Sequence, residues 1–84
     1  MCNTDFSDAN LSGVYLCGAN LRNAILSRAN LARANLSGAN LRGAHMRGVN
    51  LREASLTDAD LTDADLTDAD LTDCDLTGVK GLNV

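Results

Sequence analysis

The sequence predicts an all-β solenoid, and three observations carry that prediction. A large apolar residue returns every five positions: Phe6, Leu11, Leu16, Leu21, Leu26, Leu31, Leu36, Leu41, Met46, Leu51, Leu56, Leu61, Leu66, Leu71 and Leu76. Two residues before each of these centres stands a small residue, Ala in 11 of 15 copies. Two residues after it stands Gly, Asn or Asp in most copies, the residues that most readily adopt a positive φ.

Period five fits neither standard element. On an α-helix, five residues advance by about 500°, so the centres spiral around every side and form no stripe. On an unbroken strand, an odd step changes face at each copy. The pattern becomes consistent if each copy is a very short strand followed by a corner. The small residue and the centre then both point inward, and the residue between them, Asn or Asp in 11 of 15 copies, points outward. The next two residues turn the chain. Corners of one hand close into a coil, and stacked coils make a solenoid with parallel hydrogen bonding.

The composition follows from this architecture. Leu, Ala, Asp and Asn supply 45 of the 84 residues, and Phe6 and Tyr15 are the only aromatics. An ordinary mixed core would need more bulk. No apolar run approaches the roughly 20 residues that cross a bilayer, so no membrane insertion is expected. The start of the sequence has no basic-then-apolar leader, which gives a cytoplasmic expectation. Three Cys do not read as a disulfide framework, and zinc-ligand spacing is absent.

The A(N/D)LxX pattern, as in Ala19–Asn20–Leu21 and Ala59–Asp60–Leu61, resembles the pentapeptide-repeat family over roughly residues 4 to 80. The resemblance implies a right-handed quadrilateral parallel β-helix, five residues per side and 20 per turn. This chain would make just under four turns, about 15–20 Å tall. Residues 1–3 would lead into the first repeat, 4–77 would form the β-helix, and 78–84 would end it, with Val79 and Leu82 covering the last layer. The resemblance also implies a binding or structural module, in a family especially abundant in cyanobacteria.

With 20 residues per turn, residue n lies beside n+20. Asn10, Asn30 and Asn50 would stack, as would Asn20 and Asn40, with amides hydrogen-bonded along each ladder. Arg33 would pair with Glu53. His45 would lie between Ile25 and Asp65 as an exposed surface residue. No concave pocket is expected on so narrow a rod.

The charge order is the main functional signal. Residues 9–52 hold six Arg (22, 28, 33, 42, 47, 52) and no acid, whereas 53–75 hold nine acids and no base. A net charge of −4 conceals this polarity. The candidate partner contacts are Asp58, Asp60, Asp63, Asp65, Asp68, Asp70, Asp73 and Asp75 on the acidic turn, with Arg22, Arg28, Arg42, Arg47 and Arg52 below them. Tyr15 is the outward aromatic. The acids splay from the axis and build no cage for a cation, and no cofactor or small-molecule substrate is expected. A net-negative chain almost without aromatics is not expected to bind nucleic acid.

The terminal layers lack a neighbour on one side, so an end, the N-terminal one above all, is expected to meet a protein partner or another copy. The leading reading is therefore a non-enzymatic structural or protein–protein interaction module, possibly a small subunit of an assembly, presenting a rigid, charge-segregated surface. The resemblance supplies the alternative: a rod that mimics duplex DNA and binds a DNA-handling enzyme such as gyrase.

Overall fold

Each five-residue repeat builds the same turn. In a computed structural model that describes residues 2–82, the backbone N–H three residues after a centre donates to that centre's carbonyl, as from Val14 to Leu11 at 3.2 Å and from Ala19 to Leu16 at 3.0 Å. The third residue of each turn has a left-handed φ, the requirement of a type II turn. Gly13 meets it at +69° without a steric cost, and Asp58, Asp63, Asp68 and Asp73 meet it near +60°. Arg28, Arg33 and Glu53 also adopt φ near +60°, against the usual preference of long side chains.

Turns of one kind stack the chain on itself. Parallel bridges join residues 20 apart and define four sides: a (Asp5, Ile25, His45, Asp65), b (Asn10, Asn30, Asn50, Asp70), c (Tyr15, Asn35, Ser55, Asp75) and d (Asn20, Asn40, Asp60, Lys80). Three hydrogen bonds per repeat tie neighbouring layers: Asn30 N–H to Ala9 O at 2.9 Å, Leu11 N–H to Asn30 O at 2.7 Å and Gly13 N–H to Ala32 O at 2.8 Å. Instead of the expected short strands, each side carries a single bridge residue, and no longer strand occurs among the described residues. The corner consumes two of every five residues, which leaves too little chain for a second bridge.

The interior repeats the sequence pattern. The nine centres from Leu21 to Leu61 are buried, together with their small partners from Ala24 to Ala59. Phe6, Leu11, Leu16, Leu66, Leu71 and Leu76 belong to the end layers and are only half-buried. The principal extents are 26 × 24 × 20 Å, so the expected narrow rod is a near-isometric block. Four bridge layers at about 4.8 Å cannot rise much beyond the width of one coil.

Gly81 interrupts the centre series for a steric reason. Its φ is +70°, and a β-carbon there would come within 2.6 Å of the Thr62 α-carbon. Val79 and Leu82 pack against the core beside it. The expected 1–3 and 78–84 segments also include residues 1, 83 and 84, which lie outside the described residues.

Candidate functional site

The outward residue of each repeat is tied to its own corner. The Oδ1 atoms of Asn10, Asn30, Asn40 and Asn50 accept the backbone N–H two residues on, at 3.0–3.2 Å. The expected amide ladders are absent among the described residues, because this local bond takes the oxygen that stacking would have used. On the acidic turn, Thr doubles the contact. Both the N–H and the hydroxyl of Thr62, Thr67, Thr72 and Thr77 donate to Asp60, Asp65, Asp70 and Asp75, the hydroxyls at 2.6–2.7 Å.

These bonds favour the ionised carboxylate. The Thr hydroxyl first, then its N–H, holds Asp60, Asp65, Asp70 and Asp75 below the usual carboxylate range. The Ser7 N–H does the same for Asp5. In the unfolded chain each Asp returns to about 3.9. Below about pH 4 the unfolded state therefore binds more protons than the folded state, and stability falls as pH falls. The thermal midpoint should be level at neutral pH and decline through that acid window. Thr62→Val with Thr67→Val should shallow the decline; an unchanged acid limb in that variant would refute the assignment.

The Arg residues occupy three of the four vertical corners. Arg22 and Arg42 share the corner between sides d and a, Arg28 and Arg47 the one between a and b, and Arg33 and Arg52 the one between b and c. The c–d corner holds Cys17–Gly18, Ser37–Gly38, Thr57–Asp58 and Thr77–Gly78 and no base. Arg42 reaches Asp60 and Arg52 reaches Asp70, each at 3.5 Å. Arg28 binds Asp8 at 2.9 Å. The expected Arg33–Glu53 pair is not formed among the described residues; those that form join a first-corner Arg to a bridge Asp 18 residues on, or Arg28 to the Asp8 beside it. The sequence reading missed Asp8, and the signal for it was its place 20 residues before Arg28. All three pairs are open to solvent on the Arg side, and screening by water leaves them a small share of the stability.

The acids divide into two sets. Asp60 and Asp70 are partly neutralised by the Arg beneath them, and Asp65 feels the Arg47 and His45 charges without forming an ion pair. Asp58, Asp63, Asp68 and Asp73 project from exposed corner positions, and Asp75 is exposed at its bridge position. Tyr15 is 82 % exposed on side c, next to the c–d corner that carries no base. His45 is exposed.

Cys2, Cys17 and Cys74 are free thiols. Burial and then the Asp75 charge push the Cys74 thiol up, which keeps it protonated and inert. No group of three or more His, Cys, Asp or Glu is arranged to hold a metal among the described residues. No helix among them is long and apolar enough to cross a membrane.

Contrary to the expectation of no pocket, each end is hollowed. An apolar hollow of about 90 Å³ opens between Phe6, Leu11, Val14, Leu16, Leu21 and Leu26. A wide, open one of about 770 Å³ lies over side a of the last layer, against Thr62, Asp63, Asp65, Leu66 and Gly81. Both arise because an end layer has no neighbour above or below to fill the space between its side chains.

Comparison with known proteins places this geometry. The sequence model of the pentapeptide repeats matches residues 4–43 and 44–80, with eight copies. Among solved structures, alr5209, a pentapeptide repeat protein from Nostoc PCC 7120, is 41 % identical at a TM-score of 0.88, over 89 % of this chain and 62 % of its own. AT2G44920, a pentapeptide repeat protein from the Arabidopsis thaliana thylakoid lumen, is 33 % identical at a TM-score of 0.92, over 96 % of this chain and 56 % of its own. HetL, a Nostoc pentapeptide repeat protein involved in heterocyst differentiation regulation, is 35 % identical at a TM-score of 0.52, over 93 % of this chain and 45 % of its own. The chain thus spans about half to three-fifths of the length of these structures. No curated protein is similar enough to match.

Proposed function

Because the chain belongs to the pentapeptide-repeat family, whose structures carry a right-handed β-helix, we propose that it is a non-enzymatic docking block that holds a protein partner through its lateral charges. One observation carries this reading. The fold fixes two Arg from successive layers on each of three corners, Arg22 directly beside Arg42 and the other pairs offset by one residue, beneath a turn of Asp, on a backbone tied at three bonds per repeat. A charge pattern on so rigid a backbone loses little backbone freedom on association and steers encounter at long range. The contacts proposed are Arg22, Arg28, Arg42, Arg47 and Arg52 for acidic groups of the partner. Asp58, Asp63, Asp68, Asp73 and Asp75, with Asp60, Asp65 and Asp70 beside them, take basic groups. Tyr15 supplies an aromatic anchor.

The test is affinity capture from an extract of the source cells. A partner held this way should be lost when Arg22 and Arg47 are both changed to Glu, since neither forms an ion pair among the described residues and the fold should be untouched. Capture should weaken steeply with salt. A partner that survives both treatments would contradict the lateral reading.

A further inference from the structure

We propose that the lateral partner is met as an extended acidic segment, laid along the second and third layers across sides a and b and held by Arg22, Arg33 and Arg47. The inference rests on the docking reading above and names the form in which the partner binds.

The six Arg are not equivalent. Each Arg corner holds one guanidinium already committed to an acid and one that is not. Arg42 is committed to Asp60 at the d–a corner, Arg28 to Asp8 at the a–b corner and Arg52 to Asp70 at the b–c corner. Arg22, Arg47 and Arg33 stand at the same three corners, all exposed, and form no ion pair among the described residues. One uncommitted guanidinium is thus left at each corner. On side b, between the second and third of these corners, the Oδ1 atoms of Asn30 and Asn50 are taken by the N–H groups of Ala32 and Arg52. The side-chain NH2 groups, which only donate, are what those two residues have left to offer. The band therefore presents positive charge and donors, and it matches a ligand made of negative charge and acceptors.

The band is also narrow. Its Arg lie in two layers about 5 Å apart. On side a, Asp5 and Asp8 stand below them, and Asp63, Asp65 and Asp68 stand above. On side b, Asp70 and Asp73 stand above, and Glu53 closes the band in the column of Arg33. A broad anionic surface would overlap these acids and be repelled by them. A nucleic-acid duplex, whose major groove alone is about 12 Å wide, does not fit between them. A single extended chain does. The protein's own chain spends ten residues on the two sides between Arg42 and Arg52. A segment laid beside it needs about as many, with acids near its middle and both ends. The backbone of these sides is already paired between layers, as at Asn30 and His45, so the hold comes from side chains and not from an added strand.

Fluorescence anisotropy with a labelled oligo-glutamate of about ten residues tests the proposal. The parent should bind it at low salt. Arg22→Gln/Arg33→Gln/Arg47→Gln should weaken binding by about tenfold or more. Arg28→Gln/Arg42→Gln/Arg52→Gln removes the same charge from the same corners but should weaken it by only about threefold or less, because those guanidinium groups are already committed. All six side chains are exposed, so both variants should fold, with thermal midpoints near the parent's as the check. A short duplex DNA used as a second probe should bind more weakly than the peptide. Equal losses from the two variants, no binding by the parent, or tighter binding of the duplex would each overturn the proposal. If the peptide fails while capture from extract still depends on Arg22 and Arg47, the extended-segment inference falls and the docking reading stands. If that capture fails as well, both fall.

Discussion

Leu41→Asp should abolish the cooperative thermal transition. Leu41 is fully buried in a middle layer, with its N–H bonded to Asp60 above and its carbonyl to Ala44 in the turn. The layers above and below close over it, and the surrounding centres are Leu and Met, with no polar group to receive a carboxylate. An ionised carboxylate there costs more than the roughly 5–15 kcal/mol by which small domains are stable, and a protonated one still loses the packing of a leucine. Circular dichroism on heating provides the measurement. A variant that melts as the parent does would mean that residue 41 faces solvent. Leu41→Ala should keep the fold but lose about 2–5 kcal/mol, separating the charge from the cavity.

Ala39→Leu should destabilise by about 1–3 kcal/mol although it adds apolar surface. Ala39 is buried on side d, with Ala19 and Ala59 in the adjoining layers. A coil closed in 20 residues has a fixed cross-section, and the centre residues already fill it. Three added carbons must displace a neighbouring Leu from its rotamer or push the side outward against its interlayer bonds. Ala69→Leu is the control, since Ala69 is half-buried in the last layer and has open space above it. Denaturant midpoints should drop for the first and move little for the second. Equal midpoints would imply a looser interior than the burial indicates.

Much of the fold was legible because the pattern that encodes it is also the pattern that buries it. Leu at every fifth position and Ala two before it name the interior residue by residue, and the Gly and Asp corners name the turns. The 20-residue register came from the family resemblance, and the bridges bear it out from Asp5–Ile25 to Asp60–Lys80. What the sequence hid lay in choices between equal partners. An Asn side chain can bond its stacked neighbour or its own corner, and the local bond wins because its geometry is already set by the turn. Arg42 stands between Arg22 and Thr62 in its column, yet it turns to Asp60 beside it, and charge decides. The end hollows were hidden for another reason: a repeat describes what surrounds a typical layer, not what an end layer lacks.

The four-sided register also sets which changes of length the chain can absorb. Removing or inserting five residues at a corner keeps every Leu inside, since each repeat is equivalent to the next within the core. It also carries every later outward residue round to the next side, so a change at the Thr57–Asp58 corner would part Asp60 from Arg42 and Asp70 from Arg52. Twenty residues preserve both interior and exterior. The interior therefore counts in fives and the surface in twenties. Two chains of this architecture can share a core and differ in surface by nothing more than a quarter-turn of phase.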